Sequence, residues 1–198
     1  MKSKNPNHPK KGASIKVEPI KNLKDIKSIK KLLKAEHPRD YCLFILGINT
    51  NLRASDLLSI TVEQVEDLQV GDEIVLKEKK TGKTRRITLN EAAVEAIQYY
   101  LNSVELEPED HLFKSQRGTL TVQSVNRLVK TWCRQLNLKG NYGSHTLRKT
   151  FGYHQRVQLN TSIPELMVMF NHSTQRQTLD YLCIQDDEIK DAYLKLNL

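Results

Sequence analysis

Residues 41–58 read YCLFILGINTNLRASDLL, and the reading of this stretch decides the fold. The run from Tyr41 to Ile48 is almost wholly apolar, a pattern that a buried helix and a buried strand share. The residues after Ile48 separate the two. Asn51 stands where a chain leaving one helix needs a residue tolerant of left-handed backbone, and Ala54 to Leu58 resumes helical spacing. The stretch therefore reads as helix, turn, helix, with Arg53 at the start of the second helix and Asp56 one turn later.

Working toward the N-terminus, Ile26, Ile29, Leu32 and Leu33 recur at helical spacing behind the candidate caps Asn22 and Asp25. Residues 1–21 are rich in lysine, proline and asparagine and carry few large apolar side chains, so a basic flexible tail is expected there. Toward the C-terminus, Ile74 to Leu76 and Arg86 to Leu89 flank Thr81, Gly82 and Lys83, which suits a β-hairpin with a glycine turn. Asn90 caps a helix in which Val94, Ile97 and Leu101 share a face, and another helix spans Val122 to Leu136. Ser144 is the expected cap of a helix reaching Val157, and Ser162 with Glu165 has capping-box spacing ahead of Leu166, Met169 and Phe170. A final amphipathic segment, about 184–196, carries Ile184, Ile189, Tyr193 and Leu196. The expected class is mainly α with one small antiparallel β-sheet.

The chain's 198 residues suffice for one well-buried domain. Its net charge of +8 and pI near 9.3 attract a polyanion, which nucleic acid, an anionic membrane and an acidic protein all satisfy. Cys42, Cys133 and Cys183 form no C-x-x-C pair, so neither a disulfide framework nor a zinc site is suggested. The N-terminus lacks the apolar core of a signal peptide and no apolar run reaches membrane-spanning length, so a cytoplasmic protein without membrane attachment is expected.

Several polar residues carry potential chemistry, although each alone has an ordinary explanation. Arg53 with Asp56 is an intrahelical ion pair, and Lys80 is one solvated lysine among Lys77, Lys79 and Lys83. His145 and Arg148 are three apart on a helix and project to one side, expected at the surface of the core above Leu147, Phe151 and His154. His172 ends a helix, and Tyr181 is a packing tyrosine.

Taken in chain order, Arg53, Lys80, His145 with Arg148, His172 and Tyr181 resemble the tyrosine recombinase (phage integrase) family over Asn22 to Leu198. The specific parts are Thr50 to Leu58, the Lys80-Thr81-Gly82 turn, His145-Thr146-Leu147-Arg148, and Asn171-His172-Ser173 followed by Thr178 and Tyr181. The family usually has glycine where Asn51 and Asn171 stand. Asparagine is the next most tolerant residue for positive φ, at a cost of about 1 kcal/mol.

The resemblance implies the catalytic-domain fold of DNA breaking-rejoining enzymes over 22–198, without the helical core-binding domain that usually precedes it. It implies that Tyr181 is the nucleophile, that Arg53, Arg148 and His172 hold the phosphate oxygens, and that Lys80 protonates the leaving 5′-oxygen. His145 would assist proton transfer or orient the phosphate, and Asp56 would brace Arg53 from behind. Neither metal nor cofactor is implied. The implied partner is double-stranded DNA, bound by a monomer that assembles into a synaptic homo-tetramer, with the segment 184–196 docking on a neighbour in trans. The function so implied is site-specific recombination in integration, excision or inversion. Its alternatives are a type IB topoisomerase-like enzyme and a catalytically weakened DNA-binding accessory.

Overall fold

The computed structural model describes residues 16–79, 82–115, 118–183 and 185–196. Helices α1 (Leu23–Glu36), α2 (Pro38–Asn49) and α3 (Ala54–Leu57) precede a hairpin of β1 (Glu73–Lys77) and β2 (Thr84–Thr88). Helix α4 (Glu91–Leu101), a second hairpin of β3 (Lys114–Ser115) and β4 (Gly118–Thr119), and α5 (Val122–Gln135) come next. The chain continues through α6 (Ser144–Leu159), α7 (Ile163–Phe170), α8 (Gln175–Leu182) and α9 (Gln185–Lys195).

Helix α2 is the centre of the domain because it is apolar on every side. Cys42, Leu43, Phe44, Ile45 and Leu46 are all fully buried, and α1, α4 and α6 pack around them. Phe44 meets Trp132 of α5 edge to face, with ring centroids 5.9 Å apart. The crossing of α2 and α6 is close because Gly47 has no side chain: a Cβ there would fall 2.5 Å from Leu147 Cδ1. This contact sets the height of α6 and hence of His145 and Arg148.

The local signals explain the element starts. Asn22 accepts the Lys24 amide at 2.8 Å, Asn90 accepts the Ala93 amide at 3.0 Å, and Ser162 and Glu165 form the reciprocal capping box of α7. Asn51 and Asn171 both adopt left-handed backbone, with φ of 55° and 54°. β1 and β2 pair antiparallel from Glu73 opposite Thr88 to Lys77 opposite Thr84.

Three expectations change. Two small sheets are present, because the four residues of β3 and β4 are too few to show an alternating pattern. The cap of α6 is Gly143 and Ser144 is its first residue; Thr146 Oγ1 accepts the Gly143 amide at 3.0 Å. Order also begins before residue 22: Ile20 is buried, its amide donates to Thr150 Oγ1, and the Glu18 amide donates to the Asn141 carbonyl at 2.8 Å. Within the tail, residues 1–15 lie outside the described residues.

Gly47→Ala should destabilise the domain by about 1–3 kcal/mol through overpacking against Leu147. Urea denaturation measures it, and an unchanged midpoint contradicts the close crossing.

Candidate active site

An open cleft of about 790 Å³ is lined by Arg53, His145, Arg148, Lys149, His172 and Tyr181, among others. Five of the six residues expected to carry chemistry thus meet in one place. The sixth, Lys80, lies outside the described residues, as does Thr81.

Arg53 enters from the junction of α2 and α3. Asn51 turns the chain there, and its Nδ2 donates to the Met169 carbonyl at 2.6 Å, tying the turn to α7. Arg53 Nη1 lies 2.9 Å from Glu78 Oε2 and 3.8 Å from Asp56 Oδ2. These are ion pairs rather than aligned hydrogen bonds, since Nη1 has no hydrogen-bond partner among the described residues.

The nearer carboxylate is Glu78, whereas the sequence points to Asp56. Asp56 is fully buried and braces the site differently: its Oδ1 accepts the Lys79 amide at 3.0 Å, pinning the end of β1 to α3. Glu78 is 2% exposed, pairs through Oε1 with Arg85 Nη1 at 2.9 Å, and accepts from Asn171 Nδ2 at 3.3 Å. Arg85 Nη2 donates to the Met169 carbonyl. One carboxylate therefore links both hairpin strands, Arg53 and the residue before His172.

Arg148 is 2% exposed, deeper than its expected place at the surface of the core. Its Nη2 donates to the Phe170 carbonyl at 2.7 Å, while the buried Nε and Nη1 have no partner among the described residues. Burial, then the facing Arg53 and Arg85, push its pKa down to about 10, against which Tyr181 and Glu78 act; it stays protonated at neutral pH. A buried guanidinium with two unused donors favours an anion in the cleft.

His172 stacks on Phe170 with centroids 5.0 Å apart, and its Nδ1 lies 3.1 Å from Thr178 Oγ1. Nε2 is then the nitrogen left for a ligand. Burial first, and then Arg148, Arg53 and Arg85, lower its pKa to about 4, so it is neutral at pH 7.

Tyr181 packs on Phe170, and its hydroxyl is 3.2 Å from His145 Nδ1. The position of Phe170 depends on Gly152, where a Cβ would come within 2.4 Å of its ring. Burial raises the Tyr181 pKa to about 12, although Arg148 and Arg53 oppose the rise. The resting group is a phenol, and His145 is the base within reach.

Sequence reasoning missed Glu78, Arg85 and Lys149. Glu78 continues the buried phase of Ile74 and Leu76, and a carboxylate in step with two core residues is a detectable signal. Lys149 follows His145 by four and Arg148 by one, extending the same helix stripe toward Gly152. Arg85 has no comparable signal, because it lies on a partly exposed strand face and its second partner, the Met169 carbonyl, comes from a distant segment.

The mainly helical architecture with small antiparallel sheets is that of tyrosine recombinase catalytic domains. It superposes on the XerA recombinase with a TM-score of 0.73 at 18% identity, covering 96% of this chain and 68% of that one. For a XerH recombinase bound to palindromic difH substrate the TM-score is 0.69 at 19% identity, covering 90% and 53%. The phage integrase family matches residues 22–188, and the chain belongs to that family. A probable integrase/recombinase YoeC of Bacillus subtilis is 37% identical over 179 residues, 89% of this chain and 95% of that protein. Tyrosine recombinase XerC of Caldanaerobacter subterraneus is 31% identical over 162 residues, 79% of this chain but 44% of its own length.

The depressed His172 pKa fixes the sign of a pH effect. An unfolded chain binds this proton near pH 6.5 and the folded one only near 4, so the unfolded state takes up more protons between those values. Stability should therefore rise with pH from about 4 to 6.5 and gain nothing further from this group above that. Melting temperatures of wild type and His172→Asn across this window test it: the variant should show a flatter rise.

Proposed function

We propose that the chain cuts and rejoins double-stranded DNA, with Tyr181 attacking a phosphodiester to form a 3′-phosphotyrosine and release a 5′-hydroxyl. The observation carrying this reading is that Tyr181 Oη lies 3.2 Å from a histidine nitrogen, beside a buried arginine with two donors unused among the described residues. Family membership supports the reaction class.

The phenol proton passes to His145 as the Tyr181 oxygen bonds to phosphorus. Arg148, through Nε and Nη1, and Arg53 bind the non-bridging oxygens as their charge grows, and neutral His172 donates from Nε2. The arginine pair offers forked donors suited to a phosphate. Arg53 is braced by Glu78 and, more distantly, by Asp56. The resemblance gives Lys80 the proton for the departing 5′-oxygen. Attack by the 5′-hydroxyl of another strand reverses each step and restores the backbone, so the bond energy is kept in the adduct.

Site-specific recombination in integration, excision or inversion is the use we assign to this chemistry, in the cytoplasm, by a tetramer assembled from monomers on DNA. The relatives named as recombinases support it. Support for docking of α9 on a neighbour comes from its exposed apolar residues: Ile189, Tyr193 and Leu194 are 49%, 80% and 71% exposed. In this chain α9 is held by Arg156 Nε to Glu188 Oε1 at 2.6 Å.

A pool of nicked duplexes of randomised sequence, incubated with the protein and separated under denaturing conditions, tests the proposal. Wild type should yield a protein–DNA adduct and Tyr181→Phe none, while Arg148→Ala should form it about 10²–10³ slower. An undiminished adduct with Tyr181→Phe refutes the assignment of the nucleophile.

A further inference from the structure

Lys149 has no role in the mechanism above, yet it is only 6% exposed and its ammonium sits 5.1 Å from the centroid of the Tyr181 ring. A buried ammonium is costly unless compensated. Among the described residues its side chain makes one hydrogen bond, to Cys183 Sγ at 3.2 Å. Sulfur is a weak acceptor and the face of a neutral phenol ring is a modest partner for a cation, so in the resting protein this charge is poorly satisfied.

Cys183 is itself unusual. It caps α8 in left-handed backbone, φ 59°, a conformation that glycine and asparagine adopt and other residues enter at a cost of about 1 kcal/mol. That turn, two residues beyond Tyr181, brings Sγ to Lys149. The ammonium is thus anchored at one end of α8 and rests against the ring of the residue expected to react.

We propose that Lys149 is a positioning residue for Tyr181, clamping its ring against α6 and favouring the phenolate that attacks. The inference rests on the reading of Tyr181 as nucleophile. When the phenol proton passes to His145, the ring becomes an anion and the attraction to Lys149 strengthens. An interaction stronger in the reacting state than in the resting one lowers the barrier. Lys149 neither gains nor loses a proton in this step; it acts through the Tyr181 ring.

The groups facing Tyr181 are His145, Arg148 and Lys149 from α6, His172 from the turn between α7 and α8, Cys183 from the end of α8, and Arg53 from the α2–α3 junction. Only Lys149 is changed in the test.

The decisive experiment places difluorotyrosine at position 181 of the full chain and follows its titration by fluorine NMR without DNA, in wild type, Lys149→Met and Lys149→Arg. Lys149→Met keeps most of the aliphatic stem and removes the charge. It should move the titration midpoint up by about one pH unit, with Lys149→Arg staying close to wild type. An unchanged midpoint in Lys149→Met, or equal displacement in both variants, overturns the inference. In a second arm, with a nicked duplex enriched from the randomised pool and held at saturating protein, Lys149→Met should form the adduct about tenfold more slowly near neutral pH, with Lys149→Arg close to the wild-type rate. An undiminished rate in Lys149→Met, or an equal deficit in both variants, also overturns it. If Tyr181→Phe still forms adduct, the nucleophile reading fails instead, and the NMR titration still reports whether Lys149 acts on Tyr181.

Discussion

The buried carboxylate of Glu78 is the contact on which the rest of the site depends. Three guanidinium groups, from Arg53, Arg85 and Arg148, act on one another across the cleft wall, and like charges so placed push the elements that carry them apart. Glu78 divides its two oxygens between Arg53 and Arg85 at 2.9 Å each, and Asn171 Nδ2 adds a third contact. Removing one partner of such a buried pair typically costs about 3–5 kcal/mol, because the remaining charge is left uncompensated. The hairpin, the turn after α2 and the end of α7 are therefore tied together by charge at the cleft, in addition to the apolar packing beneath them.

The second support is Phe170. Its carbonyl takes Arg148 Nη2, its ring carries His172 on one side and meets Tyr181 on another, and it reaches α6 only because Gly152 leaves room. Phe170, Leu166 and Leu182 form a small cluster apart from the main core. So small a cluster makes α7 and α8 a region of low local stability compared with α2. His172 and Tyr181 ride on that weaker unit, whereas Arg53 and Arg148 are fixed to the main core. Rigid donors beside a less rigid tyrosine suit the proposed reaction, in which Tyr181 would join and leave a strand.

Much of the fold was legible because it rests on local rules. The caps Asn22, Asn90 and Ser162, the left-handed asparagines at 51 and 171, the hairpin about Gly82 and the apolar run of α2 each act within a few residues of themselves. The second hairpin was not legible, because two-residue strands carry no period. Ser144 was the obvious cap for α6, yet Gly143 takes the position, packed close to Asn126 and Val17.

The sequence by itself determined which residue types were on offer and in what order, because order and residue type survive without coordinates. It did not determine their partners. Glu78 displacing Asp56 as the nearer carboxylate to Arg53, Arg148 sinking into the core, and Lys149 reaching Cys183 and Tyr181 all depend on contacts between segments far apart in the chain. The tertiary structure decided these because a charge is stabilised by what lies within a few ångströms of it, and only folding sets those distances.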